Sequence, residues 1–461
     1  MRLFQDVADH AFMHGDYLVR EDEMNLEYYG LILLFGLFFF ISVGFPISFT
    51  LITLGVFFGY IGLGERVFHL MTFSFFGTMM DTVLAAVALF TFMGYLLESA
   101  GLMERLFRAV LLISRRVHGS LYIGTIFTAT LFAAATGIVG ASVTIIGLMA
   151  APVMKRTGYD TGLSAGTICA GGTLGILIPP SVMLVVMGPV FSVSVARLYA
   201  AAIIPGLMLA TLYIAYTMTR VLLNPKLGPP LSAEELDVSK SYVWREFFVG
   251  LVPVATLILL ALGSILTGVA TPTEGAALGC LGACVVTAFN GRLTFAIVKD
   301  SAYRTVETTS MVMILLAAST FMGTVFSSLG TPKLIADTML SFNLPPWVFI
   351  IGVLIVAFIL GWPLEWVPIV VVICPIFLPI LQSLKVDMVW FGILLAVTLQ
   401  SCWLSPPVAL SAYYLKAIMP EWELTEIYKG MMPFMFFQAL AVALLYLFPQ
   451  IALWLPNLLF G

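Results

Sequence analysis

The chain has 461 residues, of which 61% are hydrophobic and only 10% charged, and its mean hydropathy is +1.06. So few charges cannot cover the outside of a soluble protein of this size, which leaves an all-α polytopic membrane protein with a lipid bilayer as its solvent. The formal net charge is −4, and with no basic patch beyond short loop clusters there is no ground for a nucleic-acid partner.

Residues 1–27 read as a polar N-terminal tail carrying Asp6, Asp9, Asp16, Glu21, Asp22 and Glu23. A secretory signal would instead want a basic start and a short apolar core. The first transmembrane half, 28–222, reads as spans near 28–44, 46–62 and 82–102, a helical pair at 120–135 and 142–156, a broken helix at about 160–197 and a span at 200–222. A polar linker follows at 223–246, containing NPKLGPPLSAEELDVSK, rich in turn formers and charge. The second half, 247–461, reads as spans near 247–268, 273–289 and 307–328, a pair at 347–361 and 366–382, a broken helix at about 388–417 and a last span at 433–456. The arms of the two pairs are shorter than the roughly 20 residues an independent crossing needs, so hairpins are predicted at about 120–156 and 347–382. Arg105, Arg108, Arg115 and Arg116 precede the first hairpin, and Lys155 and Arg156 follow it. That cluster faces the cytoplasm by the positive-inside rule, whereas Lys333 and Lys385 around the second suit the opposite face. The two halves are thus expected to be inverted repeats.

The repeat is carried by punctuation. GGTLGILIPPS holds Pro179 and Pro180, and SCWLSPPVALS holds Pro406 and Pro407, 227 residues later. The same offset takes Pro152 to Pro379, Asp160 to Asp387 and the tip residue Thr136 to Pro363. Proline has no N–H and clashes with the carbonyl four residues back. The two pairs should therefore strip partners from the carbonyls of Gly175 and Ile176, and of Cys402 and Trp403. In lipid such carbonyls are tolerated only inside protein or against a polar cavity, and matched breaks in two halves point to ion sites of a transporter.

A first candidate site joins the tip ATGIVGAS (135–142) to the first break, and a second joins GWPLEW (361–366) to LQSCWLSPPVALS (399–411). Sodium is a hard cation that wants several oxygens, which backbone carbonyls and hydroxyls can supply. Its expected ligands are Gly137, Gly140, Ser142, Thr173, Gly175 and Ile176 in the first site. In the second they are Gly361, Thr398, Ser401, Cys402 and Trp403. The side chains expected to meet a substrate are Thr136, Ser142, Thr173 and Ser181, with Glu365, Gln400 and Ser405 from the second site. Thr144 adds a further hydroxyl near the first tip. The plainer reading of the small and hydroxylated residues is close helix packing. Glu365 stands out because a carboxylate at membrane depth is costly unless paired or hydrated, the alternative being a solvated tip in a vestibule.

Other acids have simpler readings. Glu274 in VATPTEGAALG follows Thr271 and Thr273, either of which suits a helix cap, with Pro272 in the first turn. Glu98 reads as interfacial, and Glu307 as the partner of Arg304. No Arg or Lys falls within either candidate site. The five cysteines sit in apolar segments, and although Cys280 and Cys284 are one turn apart, buried small hydrophobes are the better reading. There is no G-x-x-x-x-G-K-[ST] loop, and the four histidines have no metal-ligand spacing within an apolar segment, so neither a Walker ATPase nor a metal or haem enzyme is indicated. No organic cofactor is expected.

GGTLGILIPPS, the preceding PVMKRTGYD (152–160), TPTEGAALG and LSPPVALS together resemble the large membrane subunit of tripartite ATP-independent periplasmic (TRAP) transporters, over nearly all of 28–456. The resemblance implies an elevator-type fold with two hairpins and two discontinuous helices in the bacterial inner membrane. It implies sodium-driven uptake of a small organic acid, delivered by a soluble periplasmic substrate-binding protein. It also implies a separate small membrane subunit of four helices. Many members carry Ser-Ser at the first tip where this chain has Ile138 and Val139, which shifts weight to backbone carbonyls and Ser142. The variant resembles the branch associated with dicarboxylates and oxo acids. A symporter independent of a binding protein is the alternative within transport. An intramembrane enzyme or a membrane scaffold is the alternative outside it.

Overall fold

Helices follow one another along the chain in a computed structural model, which describes residues 19–114, 117–137, 139–230, 239–341, 345–362, 364–406 and 408–461. Ile138, Pro363, Pro407, most of the N-terminal tail and the centre of the polar linker lie outside the described residues. The first helices are α1 (Val19–Val43), α2 (Ile47–Leu63), α3 (Arg66–Met80), α4 (Ala85–Ser99) and α5 (Leu102–Ser114). Next come α6 (Ser120–Thr136) and α7 (Val139–Arg156), then α8 (Thr161–Thr173), α9 (Val182–Phe191) and α10 (Val195–Leu223). Beyond the linker are α11 (Lys240–Leu266), α12 (Pro272–Phe289), α13 (Phe295–Ser328), α14 (Thr331–Ser341) and α15 (Pro346–Leu360). A short turn at Trp366–Pro368 and a π-helical stretch at Ile369–Ile373 lead into α16 (Cys374–Ser383). The chain finishes with α17 (Met388–Gln400), α18 (Leu410–Ile418), α19 (Leu424–Leu447) and α20 (Gln450–Phe460). Among the described residues there is no strand, and seven helices are long and apolar enough to cross a membrane.

Five elements depart from the sequence expectation. Helices α3, α5 and α14 fall between the predicted spans. Helix α13 begins at Phe295 rather than near 307, because its first turns are polar and carry Lys299, Asp300 and Arg304. The last span divides into α19 and α20 at Phe448–Pro449, where the residue before proline is driven out of helical geometry.

Packing groups the chain into two compact units. One contains the described residues of 1–80 with 313–350 and 371–385. In it α1 packs on α2 and α14, and α14 on α16. Thr331 donates to the Glu27 carbonyl at 2.8 Å, where Gly30 leaves room for the threonine, and Ser319 donates to the Val371 carbonyl. Phe35, Phe49, Phe73 and Phe76 are exposed, as side chains facing lipid should be.

The other unit contains 81–312, 351–370 and 386–461. Here α4 packs on α12, α5 on α11, α7 and α19 on α8, and α18 on α7. The contact of α8 with α19 is glycine on glycine: a Cβ at Gly430 would lie 1.9 Å from the Gly162 carbonyl oxygen, and one at Gly166 2.1 Å from that of Gly430. Without a hydrophobic driving force between helices in lipid, such small residues let backbones approach closely enough to gain dispersion energy. Arg and Lys near the ends stay at the surface; Lys155 at the end of α7 pairs with Glu421 at 2.6 Å, and this hydrogen bond holds the carboxyl below its ordinary range.

The two breaks match in detail. Asp160 accepts from the Leu163 N–H at 2.8 Å and caps α8; Asp387 accepts from the Trp390 N–H at 2.9 Å and caps α17. Both helices run for 13 residues and tighten into three-residue 3₁₀ turns, Leu174–Ile176 and Ser401–Trp403. Elsewhere the alternative left open for Glu274 is decided. Thr271 and Glu274 form a reciprocal capping box, with Pro272 in the first turn, while Thr273 donates instead to the Thr82 carbonyl at 2.7 Å. Thr271→Ala is expected to cost about 1 kcal/mol, read as a lower midpoint of thermal unfolding in detergent; an unchanged midpoint would remove the cap from the account.

Candidate functional site

Glycine lets each hairpin tip sit against its broken helix. Gly137 ends α6 at φ +64°, a left-handed conformation that costs glycine little, and a Cβ there would meet the Val182 N–H and the Pro180 carbonyl at 3.4 and 3.7 Å. On the other arm, Gly172 of α8 abuts Val143 of α7. At the second tip a Cβ on Gly361 would fall 2.1 Å from Cys402 Sγ, so the tip rests directly on the second break.

Both tips and both broken helices then line one cavity of about 370 Å³. Gly137, Gly140, Ala141 and Thr144 come from the first tip and the start of α7, and Val182 from the start of α9, just past the first break. Glu365, Trp366 and Val367 come from the second tip, and Trp403 from the second break, with Tyr414 of α18 beside Gly140. The remaining wall is Thr91, Tyr95 and Glu98 of α4 and Arg304, Thr308, Met311 and Val312 of α13. Thr91 Oγ1 and Trp403 Nε1 are buried without a hydrogen-bond partner. A buried polar atom left so costs about 1–3 kcal/mol.

Two sequence expectations are corrected here. Arg304 pairs with Glu98, at 3.2 Å between Nη2 and Oε2, and not with Glu307. It also lines the cavity, so a cationic side chain does stand in the site. Glu98 and Arg304 lie 206 residues apart, and nothing in the apolar pattern says that α4 and α13 meet.

The predicted residues divide between the cavity and its surroundings. Gly137, Gly140, Glu365 and Trp403 line it. Ser142, Thr173, Gly175, Ile176, Ser181, Gln400 and Ser405 are buried in the helices behind it. Gln400 is fully buried with both amide atoms unpartnered. Thr398 and Ser401 face a different, largely apolar cavity of about 450 Å³, which also takes in Ile351, Phe358 and Gln438. Gly361 and Cys402 are in mutual contact, and the side chain of Thr136 lies outside the described residues.

The carbonyls expected to be stripped by proline are only partly open. Ser181 donates its hydroxyl to the Ile176 oxygen, and Ser411 donates to that of Trp403. In each break a serine beyond the prolines replaces one missing N–H. Thr173, Thr398, Ser401 and Ser405 likewise donate to carbonyls of their own helices, which leaves their oxygen lone pairs for any cation. Among the described residues no cluster of His, Cys, Asp and Glu could hold a transition metal.

Residues 34–451 match the family described as tripartite ATP-independent periplasmic transporter, DctM component. The chain is 30% identical over 387 residues to the C4-dicarboxylate TRAP transporter large permease protein DctM of Pseudomonas aeruginosa, covering 83% of this chain and 88% of that protein. It is 27% identical over 436 residues to the sialic acid TRAP transporter large permease protein SiaM of Vibrio cholerae, covering 93% and 98%. The solved structure of the Alcanivorax borkumensis YdaH transporter superposes with a TM-score of 0.63 over 92% of this chain and 98% of that one, at 16% identity, a likeness of fold.

Proposed function

The chain belongs to the DctM component family of tripartite ATP-independent periplasmic transporters, and from that premise we propose that it imports a small organic acid in symport with sodium. It is a multi-pass transporter subunit of the inner membrane. In the proposed cycle a soluble periplasmic binding protein hands the acid to this chain, and a small four-helix membrane subunit completes the complex. Relatives are named for C4-dicarboxylates and for sialic acid, both carboxylates, which sets the substrate class of the proposal.

The observation that carries this reading is the single cavity to which both hairpin tips and both broken helices contribute. Discontinuous helices end in unsatisfied backbone groups, and these are the usual means of binding ions and anions at membrane depth. With Ile176 and Trp403 capped by serines, the carbonyls of Gly175 and Cys402 become the favoured backbone ligands for sodium. The buried amide oxygen of Gln400 and the hydroxyl oxygens of Thr173 and Ser401 are further donors of the hard type sodium prefers. Elevator movement of the hairpins with their broken helices belongs to the same proposal.

The test is uptake of labelled succinate and sialic acid into proteoliposomes holding the chain, its small subunit and its binding protein. An inward sodium gradient should drive accumulation of one of these acids, and potassium in its place should return uptake to the protein-free background. Undiminished uptake in potassium would refute the coupling, and undiminished uptake without the binding protein would refute the handover.

A further inference from the structure

An anion entering the cavity needs a positive partner, and the wall offers one guanidinium, Arg304, against two carboxylates, Glu98 and Glu365. The guanidinium is held in a defined plane. Its Cζ stands 4.1 Å from the centre of the Tyr95 ring, and Tyr95 in turn shares a hydrogen bond of 3.0 Å with Thr308. Cation–π stacking of this kind orients the fork and leaves its N–H edge open to a planar acceptor. That edge is taken by Glu98: Nη1 and Nη2 both reach Oε1 at 3.4 Å, and Nη2 reaches Oε2 at 3.2 Å. Charge-assisted pairs normally close to about 2.7–2.9 Å, so this one is loose. Asp300, one turn earlier on α13, stands 4.0 Å from Nη1. The Arg304 side chain keeps 37% of its surface exposed against 19% for Glu98, so arginine is the more accessible member of the pair.

We propose that Arg304 is the carboxylate-binding residue of this cavity, and that Glu98 occupies its guanidinium until a substrate carboxylate displaces it. The proposal rests on the transport reading above and names the residue that would recognise the acid. Exchange of one carboxylate for another on the same fork leaves Arg304 paired in both states. Each exchange also frees one wall carboxylate, so entry of the acid raises the demand of the cavity for a cation by one charge.

The experiment uses the same reconstituted complex and whichever of succinate and sialic acid the wild type accumulates. Arg304→Gln should raise the KM for that acid by about tenfold or more, the loss of one charge-assisted bidentate contact. Arg304→Lys, which keeps the charge and loses the planar fork, should raise it by a smaller factor. Glu98→Gln removes the competing carboxylate and should lower KM, and an unchanged KM would overturn the displacement. A merely structural ion pair predicts the opposite, with Glu98→Gln and Arg304→Gln equally damaging to elution profile, melting and transport. Should Arg304→Gln fail to fold, Arg304→Lys with the wild-type KM overturns the assignment. An unchanged KM in Arg304→Gln, or a loss in Glu98→Gln matching that in Arg304→Gln, does the same. If the wild type takes up none of the acids, it is the transport reading that fails.

Discussion

Gly430→Val is expected to abolish the folded protein rather than to tune it. The Cβ of even an alanine there would fall 1.9 Å from the Gly162 carbonyl oxygen, and Gly166 meets the Gly430 carbonyl in the same way. These are backbone atoms, so no side chain can swing aside, and α8 and α19 would have to part. Overpacking in a core usually costs about 1–3 kcal/mol, and forced separation of two helices belongs at or above the upper end. Because α8 carries the first break and also packs on both arms of the first hairpin, the damage would reach the cavity. Thermal unfolding in detergent and the yield of monodisperse protein measure it. Gly263→Ala is the control, since no heavy atom lies within 4 Å of a Cβ at that position, and it should behave as wild type. A Gly430→Val variant with wild-type melting would mean that the α8–α19 contact is not as close as described.

The second large effect is expected from Pro179→Ala combined with Pro180→Ala. The substitutions restore two N–H groups opposite the Gly175 and Ile176 carbonyls and allow α8 to continue as a helix. The Gly175 oxygen would then be consumed, Ser181 would lose its acceptor at Ile176, and the Pro180 carbonyl beneath Gly137 would move. Loss of one backbone oxygen ligand at about 1–3 kcal/mol corresponds to a rise of roughly tenfold or more in the sodium concentration for half-maximal uptake. Stability should change far less, because Ala is the better helix former. Measuring sodium dependence beside thermal unfolding separates the two roles. A parallel fall in both would make the prolines structural only.

The breaks and the first tip could be read from local chemistry. A missing N–H or a missing Cβ acts within a few residues of itself, so Pro179, Pro180, Pro406 and Gly137 mark breaks and a tip wherever the rest of the chain goes. Asp160 and Asp387 announce helix starts for the same reason, and the equal lengths of α8 and α17 follow from matched punctuation at both ends. The polar opening of α13 hid its first three turns, since a hydropathy pattern sees a span only where it turns apolar. That opening holds Arg304.

Residue order alone was enough to read an α-helical membrane chain, its hairpins, its two breaks and the register that relates them. The meeting of Arg304 with Glu98, the turn of Thr398 and Ser401 to a second cavity, and the serine caps on Ile176 and Trp403 came from helix packing. The physical reason is that helices in lipid are apolar on nearly every face, so pattern cannot say which faces meet. A rotation of one helix about its axis moves a side chain from one cavity to another, and that rotation is set by packing against neighbours far away in the chain.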